Sequence, residues 1–262
     1  MSVIPPIASR LARREHGFTL IEVLVATATG LIVVFALFTV LEITLRQTSR
    51  LTDTVQADTL GRATLTRVVD ELHSACIAHE FAPVQAGSTG SELRFRTGYG
   101  EGTVVEGGHA FEHRLEWTGT ATPVKSGKLI DRSYKSTGSW PSLTFETTTP
   151  SGTVTVGQNI YATTEPGGKK EPIPVFQYEK YATKASESET SALGTLQIIK
   201  PPEKVGLSAE EAKTVAAVLV TFTTAPTDNK LTLFRVAEFS DLVTFAFAAP
   251  ASEATIVDGP CQ

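Results

Sequence analysis

Residues 14–22 read Arg14-Glu15-His16-Gly17-Phe18-Thr19-Leu20-Ile21-Glu22, and the 19 residues that follow, Val23 to Leu41, carry no charge. A helix rises about 1.5 Å per residue, so this run is long enough for the hydrocarbon core of a bilayer. Glu22 stands at its mouth, four residues past the Gly17–Phe18 bond. An acid carried to mid-membrane costs roughly 2.5–3.5 kcal/mol, and less near an end. An acid in this place therefore suggests a partner charge. Before the run lie Arg10, Arg13 and Arg14, against one glutamate, with His16 beside the Gly-Phe bond. The basic side of a span stays cytoplasmic. Arg46 and Arg50 at the far end soften the contrast without reversing it. The bulk of the chain is expected outside the cytoplasmic membrane.

The segment Gly17-Phe18-Thr19-Leu20-Ile21-Glu22, with its arginine leader and apolar helix, resembles the processing site of type IV prepilins and of the pseudopilins of type II secretion. The resemblance covers about the first 50 residues. It implies a leader of residues 1–17, cut by a membrane peptidase at Gly17–Phe18, and N-methylation of the new first residue, Phe18. It also implies that Glu22 meets the amino terminus of a neighbouring subunit inside a filament. Two opposite charges that are each costly in lipid offset one another there. The partners so implied are other pilin or pseudopilin subunits, the prepilin peptidase, an inner-membrane assembly platform and membrane lipid.

Two plainer readings compete. A secretory signal has an apolar stretch of 7–15 residues and a small-residue cleavage site. Ala26-Thr27-Ala28 supplies such a site, but a cut there leaves the greasy run from Leu31 to Phe38 as the new terminus. A simple one-pass anchor fits the length and leaves Glu22 and Gly17-Phe18 without a role.

Of the 262 residues, 41% are apolar and 19% charged, enough for a folded domain with a core. Net charge is −5; the leader's three arginines and one glutamate carry +2, which leaves the remainder near −7. That balance argues against a general grip on nucleic acid, which needs clustered Lys and Arg.

Past the apolar run the helical pattern continues. Leu65, Val68, Val69, Leu72 and Cys76 form one stripe at helical spacing, and no proline occurs between Phe18 and Ala82. One helix is expected from Phe18 to about His79, with its transmembrane part over about 18–41. The stripe is its face toward a β-rich extracytoplasmic head over residues 80–262. Gly30 and Gly61 are the soft points, each costing about 1 kcal/mol against alanine. The fold class is α+β: a long N-terminal helix packed on a β-rich head, as the resemblance to type IV pilins also implies.

Alternating stretches predict strands at Leu93–Arg96, His113–Trp117, Leu143–Glu146, Thr153–Val156 and Val175–Tyr178, and a short apolar run predicts another at Leu196–Ile199. Glycines and prolines punctuate them, and 182–195 reads as a polar loop. Ser208 and Glu211 have the spacing of a capping box, so a short helix is expected there. Strands are expected at Val215–Phe222 and near Leu231–Val236. This late order of Gly-Leu, short acidic helix and valine-rich strand resembles the larger minor pilins and J-type pseudopilins.

Cys76 and Cys261 are the only cysteines. The extracytoplasmic side permits a disulfide. A bridge would close 184 intervening residues, worth roughly 5 kcal/mol in the chain-entropy account. The alternative is two free thiols.

No metal site and no cofactor is expected. His73, Cys76 and His79, with Cys261, have a spacing that arises easily by chance, and a bridge would consume both sulfurs. His109-Ala110-Phe111-Glu112-His113 matches a His-x-x-Glu-His pattern, but that chemistry needs a helix and the context here is strand-like. No Gly-x-Ser-x-Gly elbow, phosphate loop or calcium loop is present. The function expected is a minor pilin or pseudopilin, a structural and assembly subunit rather than an enzyme. The opposing class is a membrane-tethered extracytoplasmic binding module outside any filament.

Overall fold

The computed structural model describes residues 17–75, 82–98, 110–121, 125–138, 144–164, 172–181, 196–203, 205–226 and 236–245. Cys76, His79, His109 and Cys261 lie outside them, as does most of the strand expected near Leu231–Val236. Two compact units are present, Met1–Arg50 and Leu51–Gln262.

Helix α1 spans Leu20–His73, 54 residues. Thr19 begins it: its hydroxyl and its carbonyl both accept from the Glu22 N–H, at 3.3 and 3.0 Å. The helix closes at His73 rather than about His79. Its last turn tightens, with Ala75 N–H bonding the Leu72 carbonyl at 3.0 Å, and Ala75 then pairs with Thr97. The chain has passed from helix to sheet edge there.

Within the second unit, α1 buries Ala57, Gly61, Thr64, Val68 and Leu72. Val68 and Leu72 belong to the expected stripe, and Leu65 and Val69 pack beside them. Burying a side chain of that size contributes roughly 1.5–3 kcal/mol. Ala57, Gly61 and Thr64 extend the buried face by being small. A Cβ on Gly61 would sit 1.9 Å from Phe239 Cε2, so only glycine admits that ring against the helix. The Thr224 hydroxyl donates to the Ala57 carbonyl at 2.9 Å, and the Thr64 hydroxyl donates to Leu60 at 2.8 Å.

The sheet opposite this face is antiparallel. Its strands are β1 (Glu92–Thr97), β2 (Phe111–Trp117), β3 (Gly127–Thr137), β4 (Thr144–Phe145), β5 (Gly152–Tyr161), β8 (Phe176–Tyr181), β9 (Leu196–Ile199), β10 (Ala217–Thr224) and β11 (Ala237–Thr244). The order is β1-β2-β3-β5-β10-β8-β9, with β11 on β10 and β4 on β3. A separate pair joins β6 (Thr163–Thr164) and β7 (Pro172–Ile173). Strand β10 is the hub. It pairs with β11 along its whole length, with β8 over Ala217–Val220 and with β5 at Thr223–Thr224.

Helix α2 (Ala209–Thr214) carries both halves of the expected capping box. The Ser208 hydroxyl accepts from Glu211 N–H at 3.2 Å, and Glu211 Oε2 accepts from Ser208 N–H at 2.9 Å. Gly206, at φ +72, turns the chain into it, and Leu207 is buried. Leu72, Leu93, Phe95, Leu115, Ile160, Phe176, Val218 and Phe222 form the core between helix and sheet. Trp117 donates its indole N–H to the Ile160 carbonyl at 3.0 Å. The Tyr178 hydroxyl donates to Thr89 at 2.7 Å, and burial pushes it well above its ordinary pKa.

Candidate functional site

The first unit holds the expected site residues Gly17, Phe18 and Glu22. Every residue from 17 to 50 is exposed, including Phe18 at 81%, Leu20 at 81% and Phe35 at 67%. So large an unbroken apolar surface requires a cover other than water. The helix is long and apolar enough to cross a membrane. Its polar groups suit that setting. The hydroxyls of Thr27, Thr29 and Thr39 donate to the carbonyls of Leu24, Val25 and Phe35 at 2.8–2.9 Å. Threonines that bond one turn back leave no open donor to lipid. Past the run, Arg46 pairs with Glu42 on the helix surface.

Glu22 is the third residue of α1. The N-terminal end of a helix carries partial positive charge, so a carboxylate is favoured there. Thr19-x-x-Glu22 is also a capping signature, legible in the sequence but not drawn from it. No group among the described residues bonds the Glu22 carboxylate. Phe18, Glu22, Val23, Ala26 and Thr27 border one open concavity of about 370 Å³. Phe18 and Glu22 thus share one side of the helix start.

The second unit resolves the His-x-x-Glu-His pattern. Glu112 and His113 are neighbours on β2, so their side chains leave opposite faces of the sheet. Glu112 is 7% exposed and accepts from Arg96 at 3.2 Å and Arg114 at 3.0 Å. Arg96 lies over the Phe145 ring at 4.3 Å and Arg114 over Tyr134 at 4.2 Å. Arg132 pairs with Glu116 on the same face, which raises the Arg132 pKa. On the other face His113 meets Asp131 and Thr97. Glu112 is therefore held as a structural anion and cannot serve a metal beside His113. Among the described residues no group of three or more His, Cys, Asp or Glu is placed to hold a metal ion.

A long N-terminal apolar helix with one acid at its start, followed in the chain by an antiparallel β-rich unit, is an α+β arrangement consistent with a type IV pilin fold. Residues 12–38 match the family model described as the prokaryotic N-terminal methylation motif, which supports a type IV prepilin-like chain with a single membrane-anchoring segment. No curated protein and no solved structure matches the chain.

Proposed function

We propose that the chain is a minor pilin or pseudopilin, an assembly subunit of a type IV pilus or a type II secretion-like filament, and not an enzyme. The observation that carries this is the Glu22 carboxylate, without a bonding partner among the described residues, at the start of an exposed apolar helix and four residues past Gly17–Phe18. The leader stays cytoplasmic and the head lies outside the membrane. Prepilin peptidase removes residues 1–17 and Phe18 becomes N-methylated. The helix is stored in lipid, then drawn into a filament through an assembly platform. Glu22 there meets the terminal amine of a neighbour, so that neither charge remains alone in an apolar setting.

The minor or J-type assignment draws on two features. Removing 17 residues leaves 245, a bulky head for a subunit packed in many copies. The sequence Gly206-Leu207, α2, β10 also follows the late order of the larger minor pilins and J-type pseudopilins. The acidic balance favours pilus priming or secretion over nucleic-acid uptake.

Two measurements test the proposal. Mass spectrometry of the mature protein should find N-methylated Phe18 as the first residue; an intact leader or a start at Thr29 would refute it. Glu22→Ala should leave cleavage and membrane insertion intact, because it makes the span more apolar. It should reduce co-purification with sheared filaments. Equal recovery of mutant and wild type would refute the charge-pairing role. A processed chain found only in membranes, with no companion subunit, would favour the tethered binding module.

A further inference from the structure

We propose that Glu71, on the face of α1 that packs on the sheet carrying the Asp131–His113 pair, is a proton-operated latch that seats the last turns of α1 and tightens as the surrounding pH falls. This goes beyond the assembly role and does not depend on it.

Glu71 sits between the buried residues Val68 and Leu72 on α1. Its two carboxylate oxygens have different surroundings. Oε1 accepts from Arg67 Nε at 2.9 Å, near the surface. Oε2 is buried and has no hydrogen-bond partner among the described residues. A buried acceptor without a donor is rare in a folded protein.

Across the interface Asp131 is 6% exposed, and both its oxygens lie against His113 Nδ1, at 3.1 and 3.0 Å. His113 Nε2 meets the Thr97 hydroxyl at 3.1 Å, and Phe95 stacks on the imidazole with centroids 5.1 Å apart. Three strands thus hold one histidine and one acid beneath the helix. From α1 the charged groups facing this cluster are Glu71 and Arg67; Asp70 and His73 are exposed. From β1 come Thr97 and Phe95, and from β2 Phe111, none of them charged. From β3 come Asp131 and, further along the same side, Lys135. The paired positions of β5, Gly152 and Val154, carry no charge.

Oε2 thus lacks a donor among the described residues, and the Asp131 carboxylate adds like charge to its surroundings. Burial pushes the Glu71 carboxyl above its ordinary range and Asp131 adds to this, while Arg67 and His113 act the other way. A proton on Oε2 removes the part-buried charge and with it the repulsion from Asp131. The folded state then holds that proton more tightly than the unfolded chain does. The stabilisation is fully present below the unfolded carboxyl value and is lost as pH rises through the raised folded value.

The test is thermal unfolding of the full chain in detergent micelles across pH 4.5–8.5, followed by near-ultraviolet circular dichroism. Wild type and Glu71→Gln are compared at each pH. The variant replaces the acid with a group that needs no proton, so its advantage over wild type should grow as pH rises. Arg67→Ala removes the exposed partner that keeps Glu71 charged, and should move the midpoint of the pH dependence upward. If Glu71→Gln is poorly folded, the Arg67→Ala midpoint alone decides. Parallel pH profiles for wild type and Glu71→Gln, or an Arg67→Ala midpoint unmoved or lowered, would overturn the latch.

Discussion

Gly61→Ala adds one methyl group where the helix lies close against the Phe239 ring of the sheet. The new Cβ would lie 1.9 Å from Phe239 Cε2, 2.4 Å from Cζ and 2.5 Å from Cδ2. Carbon atoms in contact stand about 3.5–4.0 Å apart, so ring or helix must yield by well over an ångström. The ring has little room, being 9% exposed and stacked on the fully buried Phe222 at 5.7 Å. Overpacking of this kind costs about 1–3 kcal/mol. Alanine recovers about 1 kcal/mol of helix propensity. With so short a contact the packing loss wins, and a net loss of about 1–2 kcal/mol is expected. For a chain of this size that lowers Tm by about 2–8 °C. The assay is thermal and urea unfolding of the full chain in micelles. Gly30→Ala is the control, since nothing lies within 4 Å of a Cβ built there. Phe239→Leu combined with Gly61→Ala should lose less than the two single losses added, by at least about 0.5 kcal/mol. A Gly61→Ala protein as stable as wild type would refute the close-approach argument, as would an equal loss in Gly30→Ala.

Ser208→Ala removes the cap of α2 and should cost about 1 kcal/mol in the same assay. The Ser208 N–H and hydroxyl together hold the Glu211 carboxyl below its ordinary range. Their benefit is therefore present above the unfolded value and is lost as pH falls through the lowered folded one, so the penalty of Ser208→Ala should shrink in acid. Cys76 and Cys261 are expected to form a disulfide in the exported protein. Non-reducing peptide mapping should recover the linked pair, and two alkylatable thiols in freshly isolated protein would refute it.

What the sequence disclosed follows from which residues carry pattern. The apolar run with Glu22 at its head was legible because length, charge and order agree there. The capping box of α2 and the alternation of β1, β2 and β8 were legible for the same reason. Strand β3 was not, because its alternate positions hold Gly127, Leu129, Asp131 and Ser133, so apolar alternation is missing although Leu129 and Asp131 are buried. Strand β11 escaped for a similar reason: Asp241 interrupts the alternation between Phe239 and Val243. The strand expected at Val215–Phe222 begins two residues later, since α2 and its cap occupy the chain to Val215. Gly61 looked like a weak point in a helix and proved to be where the Phe239 ring of the sheet packs against it. The small residues Ala57 and Thr64 gave no hydrophobic signal, yet they line the same face. Glu71 and Asp131 are unremarkable letters until α1 and β3 are brought together.

The position of β10 in the chain sets an order of events during synthesis. Among the described residues it is the last strand but one, yet β5, β8 and β11 all wait for it. The Thr224–Ala57 bond joins residues 167 apart. Until residues 217–224 emerge, β1, β2, β3 and β5 form a sheet fragment with an open edge, and β8 and β9 have no attachment to it. Pairings between distant parts of a chain form slowly, and open strand edges invite association with other chains in the interval. An interruption of synthesis or export shortly before residue 217 would therefore leave a product with a finished N-terminal helix and an unfinished head. Such a product would be a ready target for proteolysis.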